Sequence, residues 1–301
     1  MNTMFEHTVS NWVRYDKYEL KKDDKGEMYI TPADGAMPDI YNIMKYSEQI
    51  VLDALNTALF IMRKPSEKEI ENAIMDFVSK YGLLGLITTI TTTSEFMDYE
   101  QVHFIKNRFI KTETMETAEY LSYFFPFEMP KIQKNGINSK WDIESDNTMM
   151  ALALTMGNRP LAVNMSFQRI YAEPFEWVKK QFLDWATLFV STTFLYDRSD
   201  KSEPPSRDLY QQMIEMFNAN APTYHIALYD KPTLVWNFDA LAIAVQMLFS
   251  ISLTDEKNPL RICKQCAKAF IASRPSAVFC SPRCKNQFNV YKSRAKNKKE
   301  S

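Results

Sequence analysis

Glycine is scarce in this 301-residue chain, with only six in all, and the scarcity removes whole classes of chemistry. A phosphate cradle needs glycines where the backbone approaches the anion closely or turns left-handed, and neither GxGxxG nor GxxxxGK[ST] occurs. Histidine is scarcer still. His7, His103 and His225 are the whole set, no HExxH is present, and His225 alternates with apolar residues as a structural strand residue would. Met1 to Tyr15 holds no apolar stretch preceded by positive charge, so a secretory signal is not expected. The longest apolar-looking run, Leu83 to Thr93, is too short to span a bilayer. A cytoplasmic protein with no membrane partner is the expectation.

What is present is ordinary in bulk and uneven in distribution. Apolar residues make up 46% and charged residues 24%, which excludes disordered, collagenous and disulfide-scaffold classes. The length suggests two domains. A net charge of −1 hides a separation: residues 261–301 carry eleven Lys and Arg against Glu300, whereas the first 260 carry 25 Lys and Arg against 36 Asp and Glu. An acidic body bears a strongly basic end. All four cysteines, Cys263, Cys266, Cys280 and Cys284, fall in that end. In a reducing compartment such a cluster holds metal more often than disulfides.

Along the body, strand-like alternation over Asn11 to Leu20 and Met28 to Thr31 flanks the turn Asp23-Asp24-Lys25-Gly26 and predicts a hairpin. Pro32 to Pro38 is a connector, and Tyr41 to Arg63 has helical spacing. Ser66-x-x-Glu69 is a capping-box pattern opening a second helix that ends at Gly82. Leu83 to Ile110 is rich in β-branched and aromatic residues and suits one or two strands, with Leu83 to Ile90 equally suited to a continued helix, while Thr112 to Phe124 reads as helix. After Pro174, the residues Phe175, Val178, Phe182, Trp185 and Phe189 mark a core helix, with Trp177 also on it, and Asp197 to Ser206 is a solvent loop. Tyr224 to Tyr229 and Thr233 to Trp236 flank Asp230-Lys231-Pro232 as a second hairpin, followed by a helix over Asp239 to Ser252.

Cys263-Lys-Gln-Cys266 and Cys280-Ser-Pro-Arg-Cys284 form a CxxC…CxxxC array separated by thirteen residues. The first pair has the spacing of a knuckle in which two thiolates point at one ion. The second suits a helix start, with Ser281 as N-cap and Pro282 at N1. Between the pairs, Ala267 to Ile271 and Ala277 to Phe279 are expected to form a hairpin, completing a treble-clef arrangement. Four thiolates close the coordination sphere, so one structural Zn2+ is the expected cofactor, and its binding, worth about 10–16 kcal/mol, would supply folding energy that so small a module lacks. The fold class expected is therefore α+β. A large helix-rich domain with small β-hairpins over 1–255, sensing or dimerising, precedes a four-cysteine zinc finger with a basic helix over 256–301.

On that helix, Phe288, Tyr291 and Ala295 fall within about 40° of Cys284 and are expected to face the metal and hairpin with it. Arg283, Lys285, Asn286, Gln287, Asn289, Lys292, Arg294 and Lys296 populate the outward flanks. Lys and Arg neutralise phosphates, and Asn, Gln and Arg read base edges. Nucleic acid, DNA before RNA, is thus the expected partner. The bland alternative is a cationic tail docking the acidic body or another protein.

Arg261-Ile-Cys-Lys-Gln-Cys, Phe270 and Phe279-Cys-Ser-Pro-Arg-Cys-Lys-Asn-Gln, closing in a basic helix after an α-rich region, resemble the CGNR-type zinc finger found at the C-terminus of ABATE-domain bacterial transcription regulators. By that resemblance the four cysteines are the zinc ligands and the chain is a DNA-binding transcription regulator. A regulator needs something to sense, so a small-molecule effector is expected, and the large body is expected to sense it or to form a homodimer. The naming motif departs: this chain has Cys284-Lys285-Asn286-Gln287 where the family has Cys-Gly-Asn-Arg. An enzyme is not expected. Its only foothold is a nuclease-like acid-acid-lysine triplet at Asp23-Asp24-Lys25 or Asp255-Glu256-Lys257, each in a predicted turn.

Overall fold

A computed structural model describes residues 7–9, 11–87, 101–103, 109–116, 119, 122–123, 126–127, 172–199, 208, 212, 222–238 and 240–300. It is a mixed α+β protein of helices and small, mainly antiparallel sheets. The chain divides into two compact units: residues 1–45, 71–180 and 220–244 form one, and residues 46–70, 181–219 and 245–301 the other. The four cysteines belong to the second. No described helix is long and apolar enough to cross a membrane.

In the first unit, β1 (Thr8–Val9), β2 (Asn11–Tyr15), β3 (Tyr18–Lys22), β4 (Met28–Pro32) and β5 (Pro38–Asn42) open the chain. The expected turn joins β3 to β4, where Asp23 Oδ1 accepts from the N–H groups of Lys25 and Glu27 and Gly26 takes a φ of 83°. The strand β2 pairs instead with β5, which the sequence assigns to the connector's end and the start of a helix. Pairing partners so far apart leave no local signal.

Side chains on β2 and β5 then close the C-terminus of the helix α2 (Glu67–Tyr81), whose last carbonyls have no partner within the helix. Tyr41 Oη donates to the Tyr81 carbonyl (2.7 Å), Arg14 Nη1 to that of Lys80 (2.9 Å), and Trp12 Nε1 to that of Leu83 (2.9 Å). Gly82 stops the helix as expected, with a φ of 91°, and any Cβ there would run into the Val13 carbonyl. The short strand β8 (Glu173–Pro174) pairs with β4 and delivers the buried Glu173 carboxylate to the backbone N–H groups of Leu84 (2.7 Å) and Leu86 (2.6 Å). These two bonds fix the segment after α2 and satisfy its backbone N–H groups. Residues 88–100, within the stretch that suits one or two strands, lie outside the described residues. Beyond them β6 (Gln101–His103) pairs with β7 (Thr114–Glu116), so that part of the expected helix over Thr112 to Phe124 is strand. Cross-strand pairing overrides helical spacing in this stretch.

The helix α3 (Phe175–Ser199) begins where Pro174 predicts and runs into the expected solvent loop, whose remainder lies outside the described residues. Phe175, Phe182, Trp185 and Phe189 are buried, as core residues should be. Trp177 is only half-buried and stacks on Phe109 at 4.9 Å. The hairpin of β9 (Thr223–Leu228) and β10 (Pro232–Asn237) forms as read, and β1 joins β10 in parallel.

The second unit contains α1 (Ser47–Met62), most of α3, and α4 (Leu241–Thr254) beyond Ala244. Ile50, Val51, Ala54, Leu55, Ala58 and Leu59 put an apolar stripe along α1 at the 3–4 residue helical spacing, and all are buried. Phe189 of α3 meets Phe249 of α4 edge-on at 6.0 Å.

Candidate metal centre and the cationic helix beside it

The strands β11 (Leu260–Ile262) and β12 (Ala269–Ile271) pair antiparallel, and the first cysteine pair forms the turn between them. The expectation of a hairpin between the two cysteine pairs is therefore corrected. Ala269 to Ile271 pairs back onto Leu260 to Ile262, and Ala277 to Phe279 carries no strand, tied to the turn by the Lys264 N–H donating to the Val278 carbonyl (3.0 Å). The Cys263 N–H donates to the Lys268 carbonyl (2.9 Å) and the Ala267 N–H to that of Cys263 (2.8 Å). This tight closure forces Ala267 to a φ of 53°, a region where a Cβ is unfavourable.

The second pair opens α5 (Pro282–Glu300) as the sequence predicts. Ser281 caps it: the Cys284 N–H donates to Ser281 Oγ at 3.2 Å. That cap points Cys284 back toward Cys280.

All four sulfurs lie within 4.8 Å of one another, with Cys266 Sγ to Cys280 Sγ at 3.7 Å and Cys280 Sγ to Cys284 Sγ at 3.5 Å. A tetrahedron with metal–sulfur bonds of about 2.3 Å has sulfurs about 3.8 Å apart. The two measured edges fit a single ion. Among the described residues no other group of histidines, cysteines or carboxylates is so placed.

The donors also have the electrostatics of a site that wants a cation. Burial raises the Cys263 thiol's pKa, but the backbone N–H groups of Cys266, Cys280 and Gln265 outweigh it and bring the thiol down to about 6. The Cys280 N–H sits 3.4 Å from the Cys263 sulfur. Burial and the neighbouring sulfurs push Cys280 up to about 12, and burial raises Cys266 as well. Four sulfurs this close cannot share several negative charges without a positive ion among them, and a bound divalent ion reverses the balance. Such a closed four-sulfur set has no place for a reacting water and suits zinc or iron.

Two residues that no sequence signal singles out hold the first pair in place. Asn56 of α1 accepts from the Ala269 N–H at 2.8 Å through Oδ1 and returns a longer contact from Nδ2 to the Ala269 carbonyl, at 3.4 Å. Arg63, just past α1, donates from Nη2 to the Ala267 carbonyl (2.8 Å). The candidate metal centre is thus tied to a helix more than two hundred residues away in sequence.

On α5, Arg283, Lys285, Asn286, Gln287, Asn289, Lys292 and Arg294 are exposed. Lys296 lies on the same helix with its side chain outside the described set. Among the described residues no carboxylate pairs with Arg283, Lys285, Lys292 or Arg294. Gln287 Nε2 donates to Tyr291 Oη at 3.3 Å. The stripe expected to face the metal is corrected in its second half. Phe288 packs on Phe279 with ring centres 5.2 Å apart, but Tyr291 is 53% exposed and Ala295 is exposed too. At 1.5 Å per residue the helix outruns the small finger after about two turns.

The nuclease-like triplets have local roles. Asp255 Oδ1 accepts from the N–H groups of Lys257 and Asn258, which holds its carboxyl below the usual range, and Asp23 builds the β3–β4 turn. Compared with known protein families, with curated proteins and with solved structures, the chain matches none. The likeness to the CGNR finger therefore rests on its residues alone.

Proposed function

We propose that the protein is a zinc-binding, DNA-binding transcription regulator without catalytic activity, in which a treble-clef-like finger presents α5 to nucleic acid. The ion is taken as zinc because a four-sulfur set closed to water suits a structural, redox-inert cation. One observation carries the reading: α5 leaves the metal centre as an exposed helix with cations on every outward flank and no acid before Glu300. Lys285, Lys292, Arg294 and Lys296 neutralise phosphates, which fixes register, and Arg283, Asn286, Gln287 and Asn289 are placed to meet base edges or further phosphates. The zinc ion's contribution is to hold the first turn of α5 against β11 and β12.

Neutralising Lys285, Lys292, Arg294 and Lys296 together tests this. The variant is expected to lose on the order of 100-fold or more in affinity for random duplex DNA at moderate salt, with zinc content unchanged. Equal binding by variant and parent contradicts it. Exposed apolar side chains on the finger, Val278, Val290 and Tyr291, favour a second reading, docking of a protein partner or of the acidic body. For a protein partner, binding under that reading depends on those three side chains and only weakly on salt, whereas docking on the acidic body is itself weakened by salt.

A further inference from the structure

The hairpin β9–β10 presents an apolar face to solvent as well as to the interior. Its register pairs Trp236 with Tyr224, Leu234 with Ile226 and Pro232 with Leu228, so these residues share one face, and Tyr224 and Trp236 meet edge-on at 5.7 Å. On the opposite face Val235 and Asn237 are buried, and Asn237 Nδ2 donates to His225 Nδ1 (3.1 Å). An antiparallel sheet with one face in the core ordinarily turns polar side chains to water on the other. Here Tyr224 is 65% exposed, Ile226 74%, Leu228 80% and Leu234 46%, with Tyr229 at the turn 61%. Neither strand carries a formal charge, so the usual protection of an edge by lysine or an inward-pointing charge is missing on β9.

We infer that this face is where two copies of the chain pack against each other across a two-fold axis, apolar face to apolar face. A second copy suits it because the face is uncharged and self-complementary: a two-fold axis near Ile226 sets Tyr224, Leu228 and Leu234 of one copy against the same side chains of the other. The area also suffices. At roughly 200 Å2 for a large side chain, the exposed portions of Tyr224, Ile226, Leu228 and Leu234 come to about 530 Å2 per copy and about 1,060 Å2 across the pair, just above the roughly 1,000 Å2 that a biological interface should clear. A groove for an extended peptide would need only the edge of β9, whereas Leu234 sits on β10, away from that edge.

Sedimentation of the full chain, loaded with zinc, at about 50 µM tests the inference, since a dimer's population follows concentration. The parent is expected to sediment as a dimer. Ile226→Lys and Leu234→Lys, each placing a charge at the centre of the face, are each expected to weaken self-association on the order of 100-fold or more. Because both sites are exposed, the melting temperature should hold when variant and parent are compared at a dilution where the parent is monomeric. Should a lysine variant misfold, Ile226→Cys treated with a short bismaleimide is expected to give a cross-linked dimer that Lys25→Cys and the parent do not. A monomeric parent, a dimer that survives either lysine substitution, or no cross-link at position 226 overturns the inference.

Discussion

Asn56 and Ala267 decide how the first cysteine pair is presented, and neither is a ligand. Replacing Asn56 by Ala strands the Ala269 N–H in a part-buried position, which should cost about 1–3 kcal/mol and weaken metal retention. Asn56→Asp keeps the acceptor and loses only the weaker Nδ2 contact, so it should cost less; thermal unfolding with a chelator competition measures both effects. Ala267→Gly is expected to do the opposite. It removes the strained Cβ at a φ of 53° and should stabilise by up to about 1 kcal/mol, offset in part by the freer unfolded chain. The phenols of Tyr18 and Tyr29 set a pH dependence at the same scale. Burial raises both, Tyr18 strongly and Tyr29 to about 12, the latter also through Glu27 and Asp23. Because the folded values lie above the ordinary value near 10, the folded state holds these protons more tightly than the unfolded chain. Their stabilisation is complete below about pH 10 and drains away as pH rises from about 10 toward 12. Tyr18→Phe and Tyr29→Phe should each flatten the alkaline fall in melting temperature.

Among elements, those whose ends carry local chemistry were legible in the sequence. Ser66 and Glu69 form the capping box of α2, with Glu69 Oε2 taking both the Ser66 N–H (2.9 Å) and its hydroxyl (2.6 Å), so that the Glu69 carboxyl sits below its usual range. Gly82, the Asp23 turn, the β9–β10 hairpin and the Ser281 cap belong with it. What was not legible is pairing over distance: β5 with β2, β1 with β10, β12 with β11 around the knuckle, and the attachment of β12 to α1. Spacing singled out the four cysteines because a tetrahedron fixes local distances, and their sulfurs do converge; it carried no information on Asn56 or Arg63. The exposed second half of α5 adds a prediction. A helix with so little packing is marginal unless its first turn is held, so chelation should lower the helical circular dichroism signal, and Cys284→Ser should reproduce part of that loss without chelator. An unchanged signal after metal removal would mean that α5 is held by something other than the ion.

For the molecule as a whole, the near-zero net charge conceals its most informative property. All the acids but Glu300 lie before residue 261, and a dense run of cations follows it, most of them on a helix with two of the four clustered cysteines at its start. Under the proposed function, separation of that kind would serve long-range attraction to an anionic partner.

The most direct test is the salt dependence of duplex DNA binding by the full chain, measured with metal bound and again after chelation. A nucleic-acid interface built on Lys285, Lys292, Arg294 and Lys296 predicts that log K falls against log salt with a slope of about −0.9 per phosphate contact, near −3 to −4 in all, and that chelation weakens binding strongly. A salt-independent affinity, or one that chelation leaves intact, would contradict it.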